Sequence, residues 1–434
     1  MRRRLAVWLW WALALAATVV ATPAWAWDPL ELFGITARGT GLAGTLTAGA
    51  DDAAAAFYNP AGVAVGRGPE LSLGWSYGYM GLRLDKQDAR VTDPHGAHIG
   101  LTLPLKFGDF GFGFGVGLYM PDQYILRIQI VPQAEPHFGL LDNSPQRLVS
   151  NVVLGARWRW LALGVGASFL ANAAGRGITF DVGLSGGEKV GRASLDYGLP
   201  TRATPIAGLM VTPTERLRLG FTYRGEINLR LSFDVLANVD VAGVVTGDAV
   251  ISLQATNFFT PKKLAFGAQL KLREDLKLLA DVVWFRWSEM EGGIPDLRVL
   301  VHLGVSPPLV NALFPPDGYR DTVSLRGGAE LERPLGQRQR FRLRAGVAWE
   351  PSPVPNQYGL TSVADNDRVV VAFGGSLDLR DRAGVLPRPF SLEAGLQWHY
   401  LPDRTTLKSN IALGRGFTSG GNIVVVTVAG TARF

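Results

Sequence analysis

From Phe390 to Tyr400 the chain reads Phe-Ser-Leu-Glu-Ala-Gly-Leu-Gln-Trp-His-Tyr. Phe390, Leu392, Ala394, Leu396, Trp398 and Tyr400 are apolar, and Ser391, Glu393, Gln397 and His399 stand between them. Successive side chains of an extended chain point to opposite faces, so this is a strand with one oily face. The alternation returns with Leu217, Leu219, Phe221 and Tyr223 against Arg216, Arg218, Thr222 and Arg224. It returns again with Leu264, Phe266, Leu270 and Leu272 against Lys263, Gln269 and Lys271, and with Phe341, Leu343, Val347 and Trp349 against Arg342, Arg344 and Glu350. After Ala26 no stretch approaches the roughly 20 apolar residues of a transmembrane helix, which excludes a helical membrane protein.

A soluble sandwich also alternates, so segment lengths and connections decide. Strands of about 10 or more residues, joined alternately by tight turns and long connections, are the pattern of a membrane barrel with short periplasmic turns and longer outer loops. Tight turns are expected at 106–109, 157–159, 212–215, 273–275, 333–338 and 380–384. Long connections fall near 85–94, 121–145, 171–200, 233–259, 289–320, 351–366 and 402–422. Between them lie strands at about 70–84, 95–107, 110–120, 146–157, 160–170, 201–212, 215–232, 260–273, 275–288, 321–333, 339–350, 367–380, 388–401 and 422–434. The expectation is therefore an all-β transmembrane β-barrel of about 14 antiparallel strands, an even number that closes the sheet. The last segment ends on an aromatic residue, Phe434, and resembles the terminal assembly signal of bacterial outer-membrane proteins.

Composition fits an oily wall. The 434 residues are 47% hydrophobic and only 18% charged, with 53 Gly and no Cys, whereas ordinary soluble proteins are about 25% charged with roughly 7% Gly. No G-X-Y period supports collagen, and 10% aromatic residues exclude disorder. The absence of Cys removes disulfides, thiolate metal sites and Cys nucleophiles. The formal charge of +6 is no sign of nucleic-acid binding, because Arg2, Arg3 and Arg4 precede the apolar run Leu5 to Ala21 and the small-residue site Ala24-Trp25-Ala26. That is the layout of a secretory signal peptide. Cleavage after Ala26 would remove three positive charges and no negative ones, leaving +3. The expected organisation is a signal peptide at 1–26, a plug at 27–66 and a barrel at 67–434. The plug region is rich in Gly and Ala, too small to form an outward oily face, and carries Asp51-Asp52.

Motifs with a chemical reading fail on context. Gly39-Thr-Gly41-Leu-Ala-Gly44 matches the dinucleotide fingerprint without the preceding strand and βαβ unit. Gly183-Leu-Ser185-Gly-Gly187 matches a nucleophile elbow without its following helix. His95 and His98 lack a partner carboxylate cluster. No catalytic set, metal site or cofactor is expected. Two features point instead to ligand passage. In Phe110-Gly-Phe-Gly-Phe-Gly-Val-Gly-Leu118 the residues Gly111, Gly113, Gly115 and Gly117 leave one face bare; such a lane either makes room for the plug or marks a weak seam through which the wall opens sideways. The outer loops carry apolar runs, with Ile125, Ile128 and Ile130 in one and Leu300, Leu303 and Phe314 in another, suited to a binding groove. Charges expected on the inner face, Arg326, Glu330, Arg342, Arg344, Asp378, Arg380 and Glu393, mix both signs and suit a network that seats the plug.

Gly41-Leu-Ala-Gly44, Ala50-Asp-Asp52 and Phe57-Tyr-Asn-Pro-Ala-Gly62 resemble the N-terminal hatch of the FadL/TodX-type outer-membrane transporters of long-chain fatty acids and aromatic hydrocarbons. Asp281 to Ser288, Leu343 to Gly346, Ser352 to Pro355 and Asp365 to Arg368 resemble later parts of the same family, although Ala364 stands where the family commonly has Pro. The resemblance implies a plugged 14-stranded barrel in the outer membrane of a Gram-negative bacterium. It also implies a hatch motif at Asn59, Pro60 and Ala61, and release past a kinked third strand at 111–117. The implied function is passive uptake of a hydrophobic or amphipathic small molecule by a monomer whose contacts are ligand, membrane lipid and detergent-like molecules. The alternatives are a structural or adhesive surface protein with a closed barrel, and an ordinary water-filled porin.

Overall fold

The computed structural model describes residues 34–122, 135–142, 148–170, 173–183, 189–199, 202–241, 245–290, 296–302, 309–310, 318–335, 339–358, 361–379, 390–408 and 415–434. Among them fourteen strands close one antiparallel barrel: β1 (Glu70–Leu84), β2 (His95–Phe107), β3 (Phe110–Pro121), β4 (Val149–Trp158), β5 (Leu161–Leu170), β6 (Arg202–Thr214), β7 (Leu217–Arg224), β8 (Lys262–Arg273), β9 (Leu276–Arg286), β10 (Thr322–Leu335), β11 (Gln339–Glu350), β12 (Arg368–Leu379), β13 (Phe390–Thr406) and β14 (Phe417–Arg433). Each strand pairs with its neighbours in sequence, and β14 returns to β1 from Glu70↔Arg433 to Leu84↔Ser419. Closure leaves no edge, as a bilayer requires of backbone groups that cannot find water. The backbone N–H of Phe434 donates to the Pro69 carbonyl at 2.8 Å and pins the last residue beside the first strand.

The expected alternation decides which face meets lipid. Leu73, Phe112, Leu154, Val165, Phe266, Val347, Phe373 and Val428 lie outward and exposed, an arrangement water would not tolerate and hydrocarbon does. Phe107, Phe110, Trp158 and Trp160 ring the end with the short turns, and Tyr79, Trp349, Trp398 and Tyr400 ring the other. These are the two aromatic girdles of a membrane barrel, with the short-turn end on the periplasmic side.

The connections depart from expectation. Stretches read as irregular loops near 171–200, 233–259 and 289–320 carry strands outside the barrel: a hairpin of Ala173–Gly183 with Lys189–Leu199, and a four-stranded sheet of Ile227–Val241, Val245–Thr260, Asp296–His302 and Leu309–Val310. The segment read as one strand at 215–232 is two, β7 and Ile227–Val241, interrupted at Gly225 and Glu226. The turns expected at 333–338 and 380–384 reach into 336–338 and 380–389, outside the described residues.

Residues 34–66 lie inside the barrel. They form helix α1 (Ala37–Gly41), helix α2 (Ala55–Tyr58) and a 3₁₀ turn at Pro60–Ala64, nearly all of it buried. Small residues make this possible: Ala50, Ala54, Ala55, Ala56, Ala61 and Ala64 are fully covered, and a helix of large side chains would not fit so close to the wall.

Candidate functional site

The wall meets the inner segment on bare backbone. A Cβ at Gly164 of β5 would lie 2.2 Å from the Pro60 carbonyl carbon, and one at Gly208 of β6 would lie 2.1 Å from Asn59 Oδ1. Around the circumference, Gly220 faces Thr47, Gly346 faces Leu42, Gly374 faces Gly41 and Gly395 faces Ala37. Glycine is needed there because any side chain would displace the segment.

Hydrogen bonds fix the segment once it is seated. Asn59 caps the 3₁₀ turn by accepting from the Ala61 N–H at 3.1 Å, and its amide donates to the carbonyls of Thr47 at 2.7 Å and Leu209 at 3.2 Å. Pro60 follows at the first position of the turn, where its missing N–H costs nothing. Asp281 of β9 accepts from both the backbone and the hydroxyl of Thr47, at 2.9 and 2.8 Å. Arg224 of β7 donates to the Phe57 carbonyl at 2.6 Å and stands 4.4 Å over the Phe57 ring, with the Lys263 ammonium 5.3 Å from the same ring. Gln397 donates to the Thr40 carbonyl at 2.9 Å.

Charge concentrates on the periplasmic side. Arg38 donates to Glu330 at 3.0 Å, Asp51 at 2.9 Å and Asp52 at 2.7 Å. Glu330 also accepts from Arg344 at 3.0 Å and Lys277 at 3.3 Å. Burial works to raise the Asp51 carboxyl, but the cations of Arg38, Arg218 and Lys277 hold it well below the usual carboxylate range. Arg38, Asp51, Asp52, Lys277, Glu330 and Arg344, with Arg342 and Asp378, line a cavity of about 200 Å³. Of the inner charges expected from sequence, Glu330 ties directly to the segment, while Arg342 pairs with Asp378 at 2.7 Å and Arg344 with Glu393 at 2.9 Å to brace the wall. Arg326 donates to Glu350 at 3.0 Å, and Arg380 lies outside the described residues. Arg38, Asp281, Arg224 and Gln397 went unread. Asp281 carried a signal, a lone acid in the apolar run Leu278 to Phe285. Arg38 carried none, since nothing local links it to a residue 292 positions away.

The opposite side is apolar. Met80, Leu82, Phe285, Trp287, Ile423 and Val425 gather with Phe138, Leu141, Val354 and Val363 from loops folded into the mouth. The loop at 351–367 is held by Arg404, which donates to the carbonyls of Val354 at 2.8 Å and Asp365 at 3.1 Å. Asn366 anchors the same loop by donating to Pro402 and Ser419 carbonyls at 2.7 and 2.8 Å. It is bridged to the helix-bearing loop at 135–142 by His137 and Val363.

The third strand is unbroken. Its ladder to β2 runs from Gly96↔Pro121 to Phe107↔Phe110 and its ladder to β4 from Phe110↔Trp158 to Tyr119↔Val149, without a bulge. Gly111 and Gly113 abut the carbonyls of Ala64 and Val63, Gly115 abuts the Val63 side chain and Gly117 the Ala56 methyl. In this state the lane provides room for the inner segment. Of the expected groove residues, Ile125, Ile128, Ile130, Leu303 and Phe314 lie outside the described residues. Leu300 is placed by register alone, in the outer sheet opposite Val250 and Val310. His95 and His98 fall on opposite faces: His95 contacts Asp122 outside, and His98 sits 3.3 Å from the Ser76 hydroxyl inside.

Residues 205–385 match the family model described as outer membrane protein transport protein (OMPP1/FadL/TodX). No curated protein sequence matches the chain. Among solved structures, a Pseudomonas aeruginosa FadL homologue is 16% identical with a TM-score of 0.56, covering 95% of this chain and 100% of its own. The P. putida toluene transporter TodX is 14% identical with a TM-score of 0.55, covering 93% and 99%. The Ralstonia pickettii toluene transporter TbuX is 17% identical with a TM-score of 0.51, covering 93% and 100%. At these identities the likeness is one of fold.

Proposed function

We propose that this chain, an outer-membrane β-barrel with the fold of the FadL/TodX-type structures it matches, takes up hydrophobic or amphipathic small molecules, long-chain fatty acids or aromatic hydrocarbons, by passive diffusion. The observation that carries this reading is the polarity gradient along the lumen. An apolar cluster fills the outer mouth, a glycine-seated segment blocks the middle, and a lattice of paired charges closes the periplasmic side. An apolar ligand is favoured in the first and excluded from the last. Residues 34–66 act as the hatch, with Asn59, Pro60 and Ala61 at its core, and residues 1–26 direct export.

With the charged floor closed to it, the ligand leaves sideways into the bilayer beside β3. That step requires Val63 and Ala64 to withdraw from Gly111 and Gly113 and part of the ladder to open. Leu101 and Val116 are cross-strand partners on the lipid face of β2 and β3, close enough for a disulfide. In the Leu101→Cys/Val116→Cys variant, oxidation should stop uptake and reduction restore it; uptake indifferent to oxidation overturns the lateral route.

The parent reading is tested with liposomes holding the purified protein. A fluorescent fatty acid or toluene should enter faster than in empty liposomes while a hydrophilic sugar stays out. Rates equal to empty liposomes for every solute would leave a closed structural or adhesive barrel, and rapid sugar entry a porin.

A further inference from the structure

The charge-lined cavity on the periplasmic side is paired at its base and unbalanced at its lip. Seven cations and six carboxylates line it, and depth sorts them. Glu330 and Glu70 are buried against Arg38, Arg344 and Arg433. Nearer the periplasm the guanidiniums lead: the Arg340 side chain is 52% exposed and that of Arg433 31%, against 22% for Glu332. Glu332 accepts from Arg340 at 3.1 Å and Arg342 at 3.3 Å, and the charge of Arg67 reaches it as well. Arg67 itself is exposed and makes no hydrogen bond or ion pair among the described residues. Three guanidiniums therefore converge on one carboxylate, whereas Asp51 and Asp52 stay 21% and 20% exposed beside Arg38.

A surplus of guanidinium at a lip binds a carboxylate in bidentate fashion, and part-exposed carboxylates deeper in the same cavity bind an ammonium. The group that satisfies both carries the two charges on one carbon, as the free end of an amino acid does, and about 200 Å³ holds it. Access decides what can deliver such a group. The cavity lies inside the rim, between the inner segment and strands β1, β9 to β12 and β14. A folded protein surface is too broad to enter, and a lipid head group would have to drag its chains over the wall. A thin polymer with free amino-acid ends can enter. The polymer beneath a bacterial outer membrane is peptidoglycan, whose stem peptides carry, on a diamino acid, an ammonium and a carboxylate on one carbon.

We propose that this cavity docks the free diamino-acid end of a peptidoglycan stem peptide and so ties the barrel to the cell wall. Arg67 and Arg340 hold the carboxylate, and Asp51 and Asp52 the ammonium. The proposal depends on the orientation of the barrel and not on what passes through it. Because Asp51 and Asp52 belong to the inner segment, an occupied cavity also adds a charge contact to that segment from below.

The test is co-sedimentation of the purified protein with isolated diaminopimelate-type sacculi. Arg67→Ala/Arg340→Ala removes two exposed guanidiniums, neither of which pairs with residues 34–66. Lys106→Ala/Arg216→Ala removes two exposed cations of the same rim that lie outside the cavity, and both variants are checked for a folded barrel by heat-modifiable gel migration. Wild type should pellet with the sacculi, the Arg67/Arg340 variant should pellet severalfold less, and the Lys106/Arg216 variant should match wild type. Free diaminopimelate should release the wild type, and its di-N-acetyl form, which keeps the carboxylates and loses the ammonium charges, should do so severalfold less well. Docking is overturned if wild type stays in the supernatant, if the Arg67/Arg340 variant pellets like wild type, or if the acetylated competitor equals the free one. It is overturned too if both variants fall equally, the mark of general attraction between a basic rim and an acidic polymer. Protein that binds free diaminopimelate and ignores sacculi overturns the wall as the source of the group.

Discussion

At the residue scale, the core of the proposed hatch, Asn59 to Ala61, is held by groups whose partners are backbone atoms, and backbone cannot move aside. Asn59 satisfies an N–H and reaches three carbonyls, those of Thr47, Leu209 and Phe221, from a fully buried position. Asn59→Ala leaves these groups without a partner, at a cost of about 1–3 kcal/mol, and should raise hydrogen exchange across 44–62 with the barrel intact by heat-modifiable gel migration. Gly208→Val acts from the other side, since its Cβ alone would meet Asn59 Oδ1 at 2.1 Å. The variant should form the barrel but seat the hatch poorly, giving larger and noisier single-channel conductance than wild type; an unchanged trace would show that the hatch can yield. Asn59 was legible in the sequence as part of a motif. Its reach to Leu209 was not, because 150 positions separate the two and only barrel closure brings them together.

At the element scale, the loop at 351–367 behaves as a cover tied at two points by Arg404 and Asn366. Arg404→Ala removes the tie to Val354 and Asp365, and faster exchange across 351–358 and 361–367 is expected. The same loop should respond to pH. Burial pushes the Asp365 carboxyl up to about 6, against the hydrogen bond from Ser352 and the charges of Arg368 and Arg404, and burial raises Asp367 as well. An unfolded Asp titrates near 3.9, so the seated loop binds its proton first and is held more firmly as pH falls through 6, less firmly as it rises. After correction for intrinsic rates, the loop should exchange more slowly at pH 5 than at pH 7.5, and Asp365→Asn should shrink the difference to the part that Asp367 contributes. Strands were legible because the oily face repeats at every second residue, as in Phe390 to Tyr400. The outer sheet was missed although Phe233 and Val235 continue the alternation of Leu229 and Leu231, because the strand expected at 215–232 was ended there and 233–259 was read as a long connection.

At the scale of the whole molecule, one surface is oily where soluble proteins are polar, and the interior carries the charge. Low overall charge and abundant glycine share this cause: the wall spends its apolar residues on lipid and its glycines on the hatch. The charge lattice around Glu330 joins the hatch to β9, β10 and β11 through Arg38, Lys277 and Arg344. Glu330→Gln leaves three cations facing one another and should loosen the periplasmic side, seen as protease cleavage within 34–66 that wild type resists. The number of strands was readable from turn spacing. The seating of the hatch was not, because it depends on which glycines of distant strands end up facing inward at one level.

The glycine collar also bears on the order of assembly. A barrel closed without its occupant would have a belt of side-chain-free strands around empty space, and the occupant is too closely fitted to enter through the finished rim. The segment precedes β1 directly, and β1 is joined to the last strand, β14, where Phe434 meets Pro69. The wall must therefore be wrapped around its content, as a cooper raises staves around a former, and a hatch supplied later as a separate peptide would find no way in.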